Sequence, residues 1–162
     1  MNHRIFLLLG SNLGDRAANL ARARRHLQTA CGPILKASAL YTTAAWGVTD
    51  QPDFLNQAIL IESTLDPQAL LETVLRIEQE IGRVRLQKWG ARTIDIDILF
   101  FDETIIQTPG LVIPHPELQN RRFALVPLNE IDAALVHPVL NKTIQELLDL
   151  CPDTSAVEPY LL

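Results

Sequence analysis

Residues 94–101 read Ile-Asp-Ile-Asp-Ile-Leu-Phe-Phe, a run of β-branched and aromatic residues interrupted by two carboxylates. This composition predicts a β-strand, in which successive side chains point to opposite faces. Asp95 and Asp97 should therefore share one face, with the intervening isoleucines on the other. Adjacent carboxylates repel unless they share a proton or a cation bridges them. The strand alone leaves two readings open: a divalent-metal site facing a cleft, or a pair of aspartates on the solvated face of an edge strand.

The segment that precedes this strand is rich in cations. Four of them lie within residues 83–92 of a chain whose formal net charge is −5: Arg83, Arg85, Lys88 and Arg92. Arginine donates parallel hydrogen bonds to phosphate oxygens, and Mg²⁺ prefers one or two carboxylates together with water and phosphate oxygens. The combination predicts a polyphosphate site. Glycines on either side predict that the segment closes over a ligand and opens again.

Length and composition predict a single domain spanning residues 1–162, long enough to bury roughly 70% of its unfolded surface in one core. The apolar run at residues 5–9 is too short for a secretory signal or a membrane span, so we expect a cytoplasmic protein with no membrane association. The acidic balance argues against general nucleic-acid binding, which needs a broad basic surface. A local basic cluster in an acidic chain indicates a small anionic ligand.

Periodicity and turn residues predict the order of elements. Strands are expected at 3–9, 36–43, 54–63 and 94–101, and helices at about 15–31 and 66–82. This order is that of the ferredoxin-like βαββαβ unit, an α+β fold in which both helices pack on one face of an antiparallel sheet. A hairpin near 104–113 and helices at 123–131 and 143–151 would form a C-terminal extension.

A ten-residue loop, residues 44–53, carries Trp46 and leads into a strand that opens with Phe54 and Asn56 on one face. Loops of this length in compact domains are often functional. An aromatic ring and an amide can hold a flat heterocycle by stacking and by edge hydrogen bonds. A core phenylalanine and a turn-closing asparagine are the alternative.

Two further residues carry open alternatives. Glu78 lies beside the buried stripe of the second helix, where it could face a site or pair with Arg76 or Arg85. His115 stands between two prolines, so its backbone is fixed. That arrangement suits a positioned donor and equally suits a tight turn.

Five stretches together resemble the 6-hydroxymethyl-7,8-dihydropterin pyrophosphokinases of the folate pathway. They are residues 10–15 (Gly-Ser-Asn-Leu-Gly-Asp), 50–56, 82–85, 89–97 and Pro114-His115. The resemblance covers nearly the whole chain, and it is the joint order and spacing that is specific. It implies transfer of pyrophosphate from ATP to the pterin hydroxymethyl group with release of AMP, by a monomer that acts on small molecules.

The resemblance also implies roles for individual residues. Asp95 and Asp97 would hold two Mg²⁺ ions, and Arg83 and Arg92 would follow the phosphates as catalytic residues. The positions that match the ATP site are Glu78, Arg85, Trp89, Ile98, His115 and Arg121. The positions that match the pterin pocket are Thr43, Trp46, Phe54, Asn56 and Phe123, with the pterin between the two phenylalanine rings.

The chain departs from the family pattern in ways that bear on ATP affinity and loop rigidity: Ala44-Ala45 replaces prolines, and Leu75, Gly110 and Val112 stand where polar contacts are common. Two other functions remain as alternatives. A nucleotidyltransferase also places Asp-x-Asp on a strand but releases pyrophosphate, and a ferredoxin-like sensing domain needs neither metal nor arginines. The identity of the product separates the three.

Overall fold

The computed structural model describes residues 1–43, 52–82 and 93–161. Its strands are β1 His3–Ser11, β2 Ile34–Ala37, β3 Tyr41–Thr43, β4 Phe54–Ser63, β5 Asp95–Phe101, β6 Ile106–Thr108, β7 Leu111–Ile113 and β8 Glu158–Pro159. Its helices are α1 Arg16–Ala30, α2 Pro67–Ile81, α3 Arg122–Asp132 and α4 Ile144–Leu150, with a 3₁₀ helix at Leu118–Asn120.

The first two helices begin where their capping residues predict. Asp15 Oδ1 accepts a hydrogen bond from the backbone N–H of Ala18 at 3.1 Å, and Asp66 Oδ1 accepts one from Ala69 at 2.8 Å. Each bond satisfies an N–H that has no partner within its own helix. Pro67 follows Asp66 at the first helical position, where its missing N–H costs nothing.

The main sheet has the strand order β5-β1-β4-β3-β8, and β2 also pairs with β4. Every pairing is antiparallel. Taking β2 and β3 together as the second strand, this is the predicted ferredoxin-like order. The sheet has one more strand than predicted, because the short strand β8 pairs with the outer edge of β3. Next to this pairing, the backbone N–H of Tyr160 donates a hydrogen bond to Leu40 O at 2.7 Å.

The predicted strand at 36–43 is interrupted near its middle, at Ser38. The Ser38 hydroxyl accepts a hydrogen bond from the backbone N–H of Ala58 at 3.0 Å. The Ser38 backbone carbonyl accepts one from Gln57 Nε2 at 2.7 Å. Side-chain groups thus replace part of the regular ladder, which separates β2 from β3. A local pattern of apolar residues does not show such an interruption, because it depends on the facing strand.

Both faces of the sheet are covered, as the continuous apolar run of β1 predicts. Ile5, Leu7 and Leu9 pack with the core that includes α1 and α2, while Phe6 and Leu8 pack with the core that includes α3 and α4. The first pair of helices therefore lies on one face, as expected, and the C-terminal extension lies on the other. Among the described helices, none is long and apolar enough to cross a membrane.

Candidate active site

A cavity of about 740 Å³ opens on the sheet face that α3 partly covers. Its floor is formed by residues of β1, β3, β4 and β5, and its wall by the segment that runs from His115 into α3. The lining residues are Leu8, Gly10, Thr43, Phe54, Asn56, Asp95, Asp97, His115, Glu117, Asn120, Arg121 and Phe123. The structure thus gathers residues that are far apart in the sequence into one recess with polar and apolar lining.

Register places the key floor residues in a row across the sheet. Gly10 of β1 pairs with Asn56 of β4 on one side and with Asp95 of β5 on the other. Leu8, two residues earlier, pairs with Asp97. Because side chains on one strand repeat their direction every second residue, these residues face the same cavity. Adjacent strands lie about 4.8 Å apart, so the Asn56 and Asp95 backbones are separated by roughly 10 Å.

Asp95 and Asp97 both line the cavity, which confirms that they share a face. They lie on β5, an edge strand, and both side chains are half-buried. Within residues 1–43, 52–82 and 93–161 no group of three or more His, Cys, Asp or Glu side chains could hold a metal. Two carboxylate donors beside an open cavity suit Mg²⁺, which takes water and substrate phosphate oxygens as its remaining ligands.

Glu78 lies against the start of β5. Its Oε2 accepts a hydrogen bond from the backbone N–H of Ile96 at 2.7 Å. Burial raises the pKa of Glu78 to about 7; the Ile96 hydrogen bond opposes this rise, and the neighbouring Asp95 and Asp97 add to it. The alternative pairing with Arg76 is not found, since the Arg76 guanidinium lies 3.8 Å from Glu80.

His115 forms part of the cavity wall and is tied to the sheet. Its backbone N–H donates to Leu99 O of β5 at 3.1 Å, and its Nδ1 accepts from the backbone N–H of Glu117 at 3.2 Å. Burial, and then the positive charge of Arg121, lower the pKa of His115. A neutral ring whose Nδ1 is an acceptor carries its proton on Nε2. His115 can therefore offer an N–H donor to an anion without a charge of its own.

Arg121 and Phe123 lie at the beginning of α3. The Arg121 guanidinium carbon is 5.8 Å from the centroid of the Phe123 ring, within the range of a cation–π interaction. Both side chains line the cavity. The contact holds a cation and an aromatic face side by side at the cavity wall.

The part of the cavity near Asn56 is suited to a neutral polar ligand. Asn56 Nδ2 donates to Thr43 Oγ1 at 3.1 Å, and Asn56 is 3% exposed. This bond fixes the amide so that its remaining hydrogen-bonding groups have a defined direction. The Phe54 and Phe123 rings also line the cavity, as expected for an aromatic pocket.

Two of the predicted site residues do not contribute side chains to the cavity lining. Glu78 is engaged with β5 as described, and Ile98 is 7% exposed in the core cluster that contains α1 and α2. The predicted residues Trp46, Arg83, Arg85, Trp89 and Arg92 lie outside the described residues, as do Ala44-Ala45 and the predicted closing segment at 83–92.

Four lining residues were not predicted from the sequence: Leu8, Gly10, Glu117 and Asn120. Gly10 opens the stretch 10–15 that contributes to the family resemblance, but no site role was predicted for it, and its place opposite Asp95 depends on strand pairing. Glu117 and Asn120 are held together by a hydrogen bond from Asn120 Nδ2 to Glu117 Oε2 of 3.1 Å. Their position between His115 and Arg121 was the available signal.

Solved structures share this fold. A Plasmodium falciparum HPPK-DHPS crystal structure with SDX-DHP superposes with a TM-score of 0.76 over 93% of this chain at 19% sequence identity. The wild-type protein with pteroate gives a TM-score of 0.75. The chain spans 45% of the first of these longer chains, so the likeness concerns one part of them.

Sequence comparisons extend over most of the chain. A Methylorubrum extorquens 2-amino-4-hydroxy-6-hydroxymethyldihydropteridine pyrophosphokinase is 46% identical over 146 residues, which are 90% of this chain and 91% of the relative. The protein of that name from Aquifex aeolicus is 40% identical over 88% of both chains. A family model for 7,8-dihydro-6-hydroxymethylpterin-pyrophosphokinase (HPPK) matches residues 6–133. With this agreement along its length, the chain belongs to the HPPK family.

Proposed function

We propose that the described cavity is the site at which this chain transfers pyrophosphate from ATP to the hydroxymethyl group of 7,8-dihydro-6-hydroxymethylpterin, releasing AMP. Family membership makes the chain an ATP-dependent pyrophosphokinase of folate biosynthesis. The observation that carries the assignment of the site is the row Asn56, Gly10, Asp95 across its floor. It brings a group that can bind a heterocycle to the same cavity as a carboxylate that can bind metal and phosphate.

The pterin is proposed to lie at the Asn56 end. Its ring edge would hydrogen-bond to the Asn56 amide, which Thr43 holds in place at 3.1 Å, and its faces would stack on Phe54 and Phe123. Trp46, which lies outside the described residues, is proposed to contribute to the pterin pocket as well. The hydroxymethyl group is proposed to point toward Asp95.

The triphosphate of ATP is proposed to lie on the side of the cavity floor formed by Asp95 and Asp97. Asp95 and Asp97 would hold two Mg²⁺ ions, which supply charge neutralisation to the phosphate oxygens when bound. His115 would donate from Nε2 and Arg121 from its guanidinium, both from the cavity wall. Glu78, Arg85, Trp89 and Ile98 are proposed to contribute to the nucleotide site, although the Ile98 side chain is engaged in the core.

The reaction is an in-line attack of the pterin alcohol on the β-phosphorus of ATP, with AMP as the leaving group. Transfers of this kind are catalysed mainly by positioning and by neutralising charge. Asn56 and the aromatic pair would fix the alcohol, and Arg83 and Arg92 are proposed to follow the phosphates. The wall that includes His115 and Phe123 would limit the access of water to the transferring group.

The enzyme is proposed to act in the cytoplasm as a monomer. Its substrates are small molecules. The net charge of −5 supports the absence of a nucleic-acid partner.

The test is product identity. The purified chain is incubated with MgATP and 7,8-dihydro-6-hydroxymethylpterin, and nucleotides and pyrophosphate are separated by anion-exchange chromatography. We expect AMP in a 1:1 ratio to consumed pterin, and no AMP when the pterin is omitted. ADP as the main product would contradict pyrophosphate transfer, and free pyrophosphate would indicate a nucleotidyltransferase instead.

A further inference from the structure

Gly10 lies in the middle of the cavity floor and contributes no side chain to it. It belongs to β1, the strand between β4 and β5, and it pairs with Asn56 on one side and with Asp95 on the other. Leu8, the preceding residue on the same face, carries a large side chain into the lining. At Leu8 the floor is therefore formed by an apolar side chain, whereas at Gly10 it is formed by the backbone alone.

Backbone conformation does not explain this glycine. Among the described glycines, a positive φ is found at Gly14 (70°) and Gly32 (148°), whereas Gly10 lies within regular strand pairing. Glycine inside a strand weakens it, because it costs conformational entropy and contributes no side chain to packing. A residue with a side chain would be accepted by the backbone at Gly10, so the reason for glycine must lie in the space around it.

That space is occupied by Asn56. A Cβ on Gly10 would lie 2.8 Å from Asn56 Oδ1, closer than Cβ atoms are found to such neighbours, and 3.8 Å from Phe54 Cδ1. The Asn56 amide cannot move away without cost, since its Nδ2 donates to Thr43 Oγ1 at 3.1 Å and the residue is 3% exposed. Any side chain on Gly10 would rotate or displace the amide.

We propose that Gly10 is a positioning residue for the Asn56 amide and through it sets pterin affinity. This inference rests on the proposed function, since it assumes that Asn56 binds the pterin edge. The missing side chain leaves room for Asn56 Oδ1 beside Gly10, with the amide held by Thr43. The ligand then crosses a floor of bare backbone between Asn56 and Asp95.

The first measurement compares Gly10→Ala with the wild-type chain. Pterin binding is followed by calorimetry with 7,8-dihydro-6-hydroxymethylpterin, and nucleotide binding with a non-hydrolysable MgATP analogue. We expect pterin affinity to fall about tenfold, the size of a lost or misdirected hydrogen bond. Nucleotide affinity should change less than about twofold and the melting temperature by no more than a few degrees, because the nearest atoms to the added Cβ belong to Asn56 and Phe54, and neither residue is part of the apolar core.

A matched control is Gly110→Ala. Gly110 lies in the exposed turn between β6 and β7, where an added Cβ meets no atom within 4 Å. The resemblance relates Gly110 to ATP and not to the pterin, and Gly110 does not line the cavity, so the pterin affinity of this variant should equal that of the wild type. The substitution adds the same methyl group and the same backbone restriction, so it separates the effect of place from the effect of residue type.

The second measurement is a double-mutant cycle with Asn56→Ala. If Gly10 acts by positioning Asn56, adding Gly10→Ala to the Asn56→Ala variant should change pterin affinity less than about twofold, because contacting positions are not additive. A full tenfold loss in that background would overturn the positioning role, since the Cβ would then act on the ligand itself. Unchanged pterin affinity in Gly10→Ala, or equal losses of pterin and nucleotide, would also overturn it. Failure of the wild-type chain to bind pterin or form AMP would instead contradict the proposed function.

Discussion

Glu78 Oε2 accepts a hydrogen bond from the backbone N–H of Ile96, at 2.7 Å, between the two aspartates of β5. The bond ties α2 to the strand that carries the carboxylate pair. It also adds a third acidic group near Asp95 and Asp97, which is one reason that the pKa of Glu78 rises to about 7. We interpret Glu78 as a support for the geometry of β5 at its cavity end.

Substitutions at Glu78 should separate its hydrogen bond from its charge. Glu78→Gln keeps an oxygen for the Ile96 N–H, so AMP formation should remain within about threefold of wild type. Glu78→Ala leaves a buried N–H without its partner, at a cost of about 1–3 kcal/mol, and should lower both the melting temperature and turnover. Thermal unfolding and the AMP assay measure the two effects. Equal loss of turnover in both variants at an unchanged melting temperature would show that the carboxylate charge is what matters.

Replacing either carboxylate of the pair should stop the reaction without unfolding the protein. Asp95→Asn and Asp97→Asn should each reduce AMP formation by at least about 10²-fold, because charge that stabilises the transferring phosphates is lost. The melting temperature of the metal-free protein should stay level or rise, since carboxylate repulsion is relieved. Asp149→Asn, at an exposed position on α4, serves as the control and should behave as wild type. Near-normal turnover of either active-site variant at ordinary Mg²⁺ would refute the metal role.

Phe123 and Asn56 should affect the pterin far more than the nucleotide. Phe123→Ala removes a stacking face and Asn56→Ala removes an edge partner, each expected to weaken pterin binding by about 1–3 kcal/mol. Phe123→Leu keeps apolar bulk but no ring, so it should resemble Phe123→Ala in pterin affinity while retaining more stability. Calorimetric titration of each ligand gives the comparison. Parallel losses for both ligands would indicate a packing defect.

His137, which does not line the cavity, should make the stability of the protein depend on pH. It is 4% exposed, its Nδ1 accepts from the backbone N–H groups of Val139 and Leu140 at 3.2 and 3.1 Å, and its ring meets Phe100 edge-on at 5.4 Å. Burial lowers its pKa below the usual 6.5. The unfolded chain therefore takes up the proton first as pH falls. The stability that the native protein gains from neutral, buried His137 is therefore complete above pH 6.5 and is lost progressively below it.

His137→Asn tests this, because the Asn oxygen can replace Nδ1 as an acceptor but does not titrate. The variant should be less stable than wild type at pH 7.5, since it loses the ring contact with Phe100. The difference in melting temperature should narrow as the pH is lowered toward 5. A difference that is constant over this range would show that His137 does not contribute to acid sensitivity.

Local rules in the sequence determined the elements and part of the site. Asp95 and Asp97 share a face because strand side chains alternate, whatever the strand pairs with. The helices begin at Asp15 and Asp66 because a carboxylate at that position satisfies an N–H of the next turn. The order of these elements was sufficient for the ferredoxin-like fold. The assignment of Thr43, His115, Arg121 and other single residues came from resemblance to a family.

Only the tertiary structure decided which residues meet across strands. Gly10 faces Asn56 and Asp95 because β1 pairs with β4 and β5 in one register, and a shift by one residue would turn every side chain to the other face. The break at Ser38, the placement of α3 and α4 on the cavity face, and the engagement of Glu78 with Ile96 depend on contacts between distant segments. Periodicity within a segment carries no information about such contacts. The sequence by itself thus determined the chemical groups, and strand pairing decided the cavity they share.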